Sequence, residues 1–94
     1  MQEGNAHSRR SLKYIRLAAF LADQPGSVDH LEMSVEEIEN LIGESLPTNA
    51  RYPSWWRNDD HKMHARAWLT AGWIVEGMNK ADEVIVFTRG RDIQ

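Results

Sequence analysis

LPTNARYPSWWRNDDHKMHARAWLTAGW, residues 46–73, is the most informative stretch of this chain, because all four tryptophans lie within it. Large aromatic side chains dominate the cores of small domains, and they also provide surfaces on which nucleobases stack. The stretch therefore indicates either a core built around indole rings or a binding surface for a polyanion, since basic side chains are interleaved with the rings. These basic residues are Arg51, Arg57, Lys62 and Arg66.

Two prolines predict the local structure at the start of this stretch. Pro47 and Pro53 disfavour helix at the residue before each of them, so residues 46–58 are expected to be extended or turn-like. Successive side chains of an extended backbone point to opposite sides. At least one of Trp55 and Trp56 is therefore expected to be buried.

A third helix is predicted after this segment. An Asn or Asp among residues 58–60 is expected to cap it, and it should run to about Ala71, with Gly72 as its stop. Trp68 and Trp73 are predicted to be core residues, because they lie at the corner between this helix and the strand that follows. The predicted inward face of the helix consists of His64, Ala67, Trp68 and Ala71.

Before this stretch, the sequence Ser34-Val35-Glu36-Glu37 has the form of a capping box, with Ser34 at the cap and Glu37 three residues on. It predicts a second helix, ended by Gly43 in a left-handed conformation. The alternation over residues 28–33 predicts one short strand just upstream. The buried stripe of the second helix is predicted as Val35, Ile38, Leu41 and Ile42.

A first helix is predicted over residues 12–23, with Ser11 as its cap and Gln24-Pro25-Gly26 as its end. Residues 1–10 lack periodicity and are expected to fray. The predicted apolar stripe of the helix is Leu12, Ile15, Ala19 and Ala22, widened by Tyr14, Leu17, Ala18 and Leu21, with Phe20 lying apart.

The end of the chain is predicted to be a β-hairpin. Its strands are expected over residues 73–78 and 83–89, joined by the turn Asn79-Lys80-Ala81-Asp82, and residues 90–94 are expected to fray. In the second strand, Ile85 and Phe87 should face one side. Val84, Val86 and Thr88 should face the other.

The order of elements is therefore helix, strand, helix, helix, hairpin, in one α+β domain over residues 11–89. This is the order of a winged helix-turn-helix domain, in which three helices carry a small antiparallel sheet. One departure is predicted: about 15 residues separate the second and third helices, whereas the helix-turn-helix turn has three or four. The fold is thus predicted to be winged-helix-like, or a related α+β arrangement that does not read DNA.

Composition limits the classes of function. The 94 residues include no cysteine, which excludes disulfides and cysteine zinc sites. No apolar run approaches a membrane span or a secretory leader, so a cytoplasmic protein without a membrane partner is expected. The net charge is −3, yet the segment from Asp23 to Pro47 holds seven acidic residues and no Lys or Arg. The rest of the chain is consequently basic, which suits either a nucleic-acid contact or internal ion pairs.

The tryptophan pattern resembles that of a small uncharacterised bacterial domain. The shared pattern is L-P-x-x-A-R, then W-W-x-N, then A-W-x-x-A-G-W before a hairpin, over roughly residues 12–89. The resemblance implies a compact α+β fold that stands alone or is attached to nuclease or defence-related proteins. It implies no activity. The matching residues are Leu46, Pro47, Ala50, Arg51, Trp55, Trp56, Asn58, Ala67, Trp68, Ala71, Gly72 and Trp73.

The candidate site lies on the loop and third helix of this pattern. In the binding hypothesis, Trp55 or Trp56 stacks on a base, Asn58 contacts a base edge, and basic side chains contact phosphates. In the structural alternative, one tryptophan fills the core, Arg51 pairs with the acidic second helix and Asn58 caps the third helix. The basic and imidazole members of the predicted site are Arg51, Arg57, Lys62, His64, Arg66 and the turn residue Lys80.

Other chemistry has weaker support in the sequence. Asp59-Asp60-His61-x-x-His64 offers metal-ligating types but matches no recognised motif, so no metal or other cofactor is predicted. No nucleophile elbow or phosphate loop is present, so an enzyme is not predicted. The expected partner is nucleic acid, with DNA preferred to RNA. The alternative is a protein-interaction module that uses the acidic helix and exposed tryptophans, with a second copy of the chain among its partners.

Overall fold

The structure, a computed structural model, describes residues 13–90 and contains three α-helices and three β-strands in the predicted order. It is a small α+β domain, as predicted. The elements are α1 (Ile15–Ala22), β1 (His30–Ser34), α2 (Val35–Ile42), the 3₁₀ turns η1 (Thr48–Arg51) and η2 (Pro53–Trp56), α3 (Met63–Leu69), β2 (Trp73–Asn79) and β3 (Val84–Arg89). The predictions for residues 1–10 and 91–94, for the cap Ser11 and for Leu12 lie outside the described residues.

The sheet is antiparallel with β3 in the centre, flanked by β1 and β2. The predicted alternation of β3 is confirmed, since Ile85 and Phe87 are fully buried and their neighbours are half-buried. Within β2, Val75 pairs with Phe87 and Gly77 with Val86, so Glu76 is the extra residue of a β-bulge.

Helix α1 buries only part of the predicted face. Leu17 and Leu21, which were predicted to widen the apolar stripe, are its buried residues, whereas Ile15 is 52% exposed and Ala19 and Ala22 are exposed. The buried face is therefore centred on the leucines and not on Ile15, Ala19 and Ala22, because burying the larger leucine side chains removes more apolar area from water. Phe20, which was expected to lie apart, packs against the core.

Helix α2 forms as predicted, because both of its ends are specified locally. The Ser34 hydroxyl accepts a hydrogen bond from the Glu37 backbone N–H, and the Glu37 carboxylate accepts one from the Ser34 N–H. Gly43 closes the helix with φ of 85°. Strand β1 runs directly into this cap and begins at His30, because residues 25–28 form a turn in which the Val28 N–H donates to the Pro25 carbonyl.

Helix α3 begins at Met63, and no side chain among residues 58–60 caps it, so the predicted cap was wrong. The Asp59 carboxylate instead accepts the backbone N–H of His61 and closes a turn before the helix. The helix ends at Leu69, two residues before the predicted end, with Thr70 as its C-cap. Gly72, the predicted stop, follows in a left-handed conformation with φ of 89°, and its N–H donates to the Leu69 carbonyl.

The helices and the sheet enclose one core. Trp68 and Trp73 are fully buried, as predicted, and Trp56 is 2% exposed. Helix α1 packs against both α2 and α3, and η2 packs against β2. The connection between α2 and α3, residues 43–62, is much longer than a helix-turn-helix turn and lies along the core rather than looping into solvent. Within residues 13–90, no helix is long and apolar enough to cross a membrane.

Candidate functional site

A cleft of about 600 Å³ opens between the two 3₁₀ turns and the start of α3. Its size is that of a site for a small ligand or a single nucleotide. Pro53 begins η2 and thereby turns Tyr52 and Trp55 toward one region of the surface, while Lys62 and His64 approach from α3. Its principal lining side chains are Tyr52, Ser54, Trp55, Arg57, Lys62 and His64.

The wall of this cleft is an aromatic stack of Trp55 and His64. The two rings are parallel within 5°, with centroids 3.6 Å apart. The His64 Nε2 lies 2.7 Å from the backbone carbonyl oxygen of Trp55. A carbonyl oxygen only accepts hydrogen bonds, so Nε2 must carry a proton, and the neutral ring keeps its lone pair on Nδ1.

Burial favours this neutral form of His64. Burial lowers the pKa of His64 below its ordinary value. Lys62 lowers it further, whereas the hydrogen bond to Trp55 and the charge of Asp59 act in the opposite direction. The side chain therefore presents an acceptor at Nδ1 at neutral pH.

Trp55 differs from the other three tryptophans in the state of its indole N–H. Trp56 donates to the Ala50 carbonyl at 2.8 Å, and Trp73 donates to the Leu21 carbonyl at 2.9 Å. Trp68 donates to the Asn58 side-chain oxygen at 2.8 Å. Within residues 13–90 the Trp55 N–H has no protein acceptor, and its nitrogen is accessible to solvent. Trp55 thus offers a solvent-accessible donor on a residue that lines the cleft.

Cations lie around the aromatic wall. Arg57 and Lys62 line the cleft together with one carboxylate, that of Asp59. Hydrogen bonds from the His61 backbone and ring hold the pKa of Asp59 below its ordinary value, so this carboxylate stays ionised. Lys80, in the turn between β2 and β3, places its ammonium 5.0 Å from the centre of the Tyr52 ring.

Five of the predicted site residues therefore lie around one cleft, and four lie elsewhere. Those at the cleft are Trp55, Arg57, Lys62, His64 and, through Tyr52, Lys80. Trp56 is buried in the core and cannot stack on a ligand. Arg66 does not line the cleft, and its Nε donates to the Asp60 carbonyl at 2.9 Å.

Arg51 makes the contact that the structural alternative predicted. Its guanidinium lies 3.6 Å from a carboxylate oxygen of Glu39 in α2, and 3.5 Å from one of Glu83 beside β3. Glu39 also accepts the backbone N–H of Leu46 at 2.8 Å. Arg51 consequently ties η1 to α2 and the hairpin, on the side of the loop that does not line the cleft.

Asn58 neither caps α3 nor faces a ligand with its amide. Its side-chain oxygen accepts the Val75 N–H and the Trp68 indole N–H, each at 2.8 Å, and its Nδ2 donates to the Val75 carbonyl at 2.9 Å. The amide thereby bonds the backbone N–H and carbonyl of Val75 on the outer edge of β2, where no other strand pairs. These bonds also hold the backbone at residue 58 against β2 and α3.

Sequence reasoning missed four residues of the cleft: Asn49, Tyr52, Ser54 and Asp59. Tyr52 is 49% exposed, which is high for an aromatic residue. Its position just before Pro53, within the aromatic and basic stretch, was the signal that pointed to it.

Asp59, Asp60 and His61 place one ligand atom each within 4.8 Å of one another. His64, the fourth member of the metal-ligating string considered in the sequence, is not part of this group. The His61 Nδ1 lies 3.2 Å from a carboxylate oxygen of Asp59 and 3.5 Å from one of Asp60.

The fold and the cleft define a small α+β domain with an aromatic, basic surface site. A family model described as a domain of unknown function, DUF7662, matches residues 14–90, and the chain belongs to that family. This agrees with the resemblance to a small uncharacterised domain. No curated protein and no solved structure matches the chain.

Proposed function

We propose that this domain binds nucleic acid, DNA in the first place, through the cleft between η1, η2 and α3. The observation that carries the proposal is the composition of the cleft. It combines an accessible phenol, a half-buried indole with a free N–H, and two cations with one carboxylate, and a third cation, Lys80, lies beside the phenol. Aromatic faces and cations together are the usual means of holding bases and phosphates.

DNA is preferred because the element order is that of winged helix-turn-helix domains. In that comparison the β2–β3 hairpin takes the place of the wing, and its Lys80 lies beside the cleft. The proposal departs from the helix-turn-helix mode in one respect: the loop of residues 49–59 contributes more to the site than α3 does. A cytoplasmic location and attachment to nuclease or defence-related proteins remain predictions that fit this role.

The proposed contacts divide by chemistry. Arg57, Lys62 and Lys80 neutralise phosphates, and Tyr52 and Trp55 meet bases. Arg51, Trp56 and Asn58 support the loop from behind, through the contacts already described. Binding of this kind releases counterions, so affinity should fall steeply as salt rises.

The test is tryptophan fluorescence titrated with mixed-sequence single-stranded and duplex oligonucleotides, at low and at physiological salt. We expect a saturable change that weakens with salt. Arg57→Ala should lower the salt slope by about one unit. Arg16→Ala is the matched control, since Arg16 is exposed on α1, beside Gly43, and should leave the slope unchanged. A flat titration of folded protein at both salts would refute the proposal.

A second candidate, a protein-interaction module, is supported by one exposed apolar surface. Ile15 on α1 and Met63 on α3 are 52% and 46% exposed and line a shallow groove together with Ala18 and Ala67. Exposed apolar surface of this kind is common at interfaces. A molecular mass in size-exclusion chromatography that rises with concentration, and that Ile15→Ser with Met63→Ser restores to a monomer, would favour this candidate with a second copy as the partner.

A further inference from the structure

Resting on the proposed function, we infer that the cleft takes an unpaired nucleotide, so that the domain recognises single-stranded nucleic acid rather than the grooves of a duplex. The shared chemistry is a nucleobase with a free face, a free hydrogen-bonding edge and an adjacent phosphate. Three observations on the described residues lead to this conclusion.

The first observation is the shape of the site. The aromatic residues lie in a cleft of about 600 Å³ and not on a projecting element. In a duplex the base faces are stacked inside the helix, and only an element that enters a groove reaches the base edges. A concave site of this size can accept a nucleotide only after that nucleotide has left the stack.

The second observation concerns α3, which would have to enter the major groove in a helix-turn-helix mode. This helix is only seven residues long, and Ala65, Ala67 and Trp68 are buried. Arg66, its one outward basic side chain, is already bonded to the Asp60 carbonyl. Lys62 and His64, at its start, line the cleft instead. Little of α3 is therefore left to read a groove.

The third observation is the pair of unused hydrogen-bonding atoms in the wall. The indole N–H of Trp55 is a donor without a protein acceptor, and the Nδ1 of His64 is an acceptor because Nε2 carries the proton. Every nucleobase has a donor and an acceptor side by side on its Watson–Crick edge. Base pairing occupies both in a duplex and leaves both free in a single strand.

Tyr52 completes the site as the stacking platform. It is 49% exposed, and the Lys80 ammonium lies against its ring. A base stacked on the phenol would lie near Lys80, in the same cleft as Trp55 and His64. Base stacking tolerates any sequence, so the preference predicted here is for unpaired over paired strands and not for one base.

The experiment measures fluorescence anisotropy of four labelled probes of one mixed sequence at a fixed, low salt concentration. The probes are the single DNA strand, the single RNA strand, the blunt DNA duplex, and the same duplex with a single-stranded overhang. We expect the single strand and the overhang to bind at least about tenfold more tightly than the blunt duplex. The two single strands show whether the unpaired partner is DNA or RNA.

Two pairs of variants locate the preference. Tyr52→Ala should reduce single-strand affinity about tenfold, while Tyr52→Phe keeps the ring and should bind like the unchanged protein. Trp55→Phe removes the N–H together with the pyrrole part of the indole and keeps one aromatic ring beside His64, so it should weaken single-strand binding and leave duplex binding unaffected. Ile74→Ala, an exposed apolar residue of β2, serves as the control. Circular dichroism establishes that each variant is folded.

The possible outcomes separate this inference from the proposed function. If the blunt duplex binds as tightly as the single strand and Tyr52→Ala has no effect, the inference is overturned while nucleic-acid binding stands. If no probe binds the folded protein, both the single-strand inference and the proposed nucleic-acid binding are refuted.

Discussion

Trp55 and Trp56 are adjacent and chemically identical, yet they belong to two different regions of the molecule. Trp56 is 2% exposed, donates its N–H to the Ala50 carbonyl, and packs against Trp68 and Phe87. Trp55 is half-buried, stacks on His64 and keeps its N–H free. The first region is a core in which the indole N–H groups have protein acceptors, and the second is a surface on which the indole N–H of Trp55 has none among the described residues.

This difference shows how a cluster of tryptophans can serve structure and binding at once. An indole in a core must satisfy its N–H, because an unpaired buried donor is costly. An indole at a site can leave that donor to water until a ligand arrives. The hydrogen-bond state of each indole N–H therefore separates core from site more clearly than exposure alone.

The largest predicted effect concerns the core. Trp56→Ala should lower the free energy of unfolding by about 3 to 5 kcal/mol, through lost burial, an internal cavity and the lost bond to Ala50. Trp55→Ala should cost less than half of that, because one side of its ring faces the cleft. Urea denaturation measures both. Equal losses for the two variants would remove the distinction between the regions.

Asn58 connects the two regions, and its loss should have the next largest effect. Asn58→Ala leaves the Trp68 indole N–H and both Val75 backbone groups without partners, which should cost about 1 to 3 kcal/mol in urea denaturation. Asn40→Ala, at an exposed position of α2, is the matched control and should change stability little. A loss at Asn58 no greater than at Asn40 would mean that the amide does not support the loop.

Two arginines of the same loop should separate stability from binding. Arg51→Ala removes ion pairs with Glu39 and Glu83 that are partly exposed, so it should cost up to about 1 kcal/mol and leave oligonucleotide affinity unchanged. Arg57→Ala should do the reverse, with lower affinity and unchanged stability. Denaturation and anisotropy on both variants test this. A loss of affinity in Arg51→Ala would place Arg51 in the site.

The smallest effect is a pH dependence from His64. Its pKa in the folded protein is lowered by burial, so the unfolded chain binds the proton more readily. Stability should therefore decrease as pH falls from the ordinary histidine pKa, about 6.5, toward the lowered value, and be unaffected above it.

His64→Gln is the matched variant, because its amide can still donate to the Trp55 carbonyl without titrating. On acidification the unfolding free energy of the unchanged protein should fall relative to that of His64→Gln. A difference that is constant with pH would show that His64 does not titrate in this way.

Sequence reasoning predicted the elements whose signals are local. Ser34, Glu37 and Gly43 specify α2 by themselves, and the alternation around Ile85 and Phe87 specifies β3. For α1 it predicted Leu17 and Leu21 only at the margin of the apolar face, because packing against α2 and α3 decides which part of a wide apolar face is buried. It also placed the start of α3 too early, because Asp59 closes a preceding turn and does not cap the helix.

The site was predictable in composition but not in arrangement. The sequence indicated an aromatic and basic surface, and it left open which tryptophan is exposed. The role of Asn58 depends on Trp68 and Val75, which lie 10 and 17 positions away. The orientation of Trp55 depends on His64. Contacts between distant positions of this kind leave no periodic signal in the sequence.

The most direct measurement is a ¹H–¹⁵N spectrum of the four indole N–H groups, assigned by single Trp→Phe variants and recorded with and without a single-stranded oligonucleotide. In the free protein the Trp55 N–H should exchange rapidly with water, and those of Trp56, Trp68 and Trp73 should be protected by their acceptors. On addition of the strand, the Trp55 signal should shift and the other three should stay in place. Protection of Trp55 in the free protein, or no shift of its signal with the strand, would contradict the division between core and cleft on which this account rests.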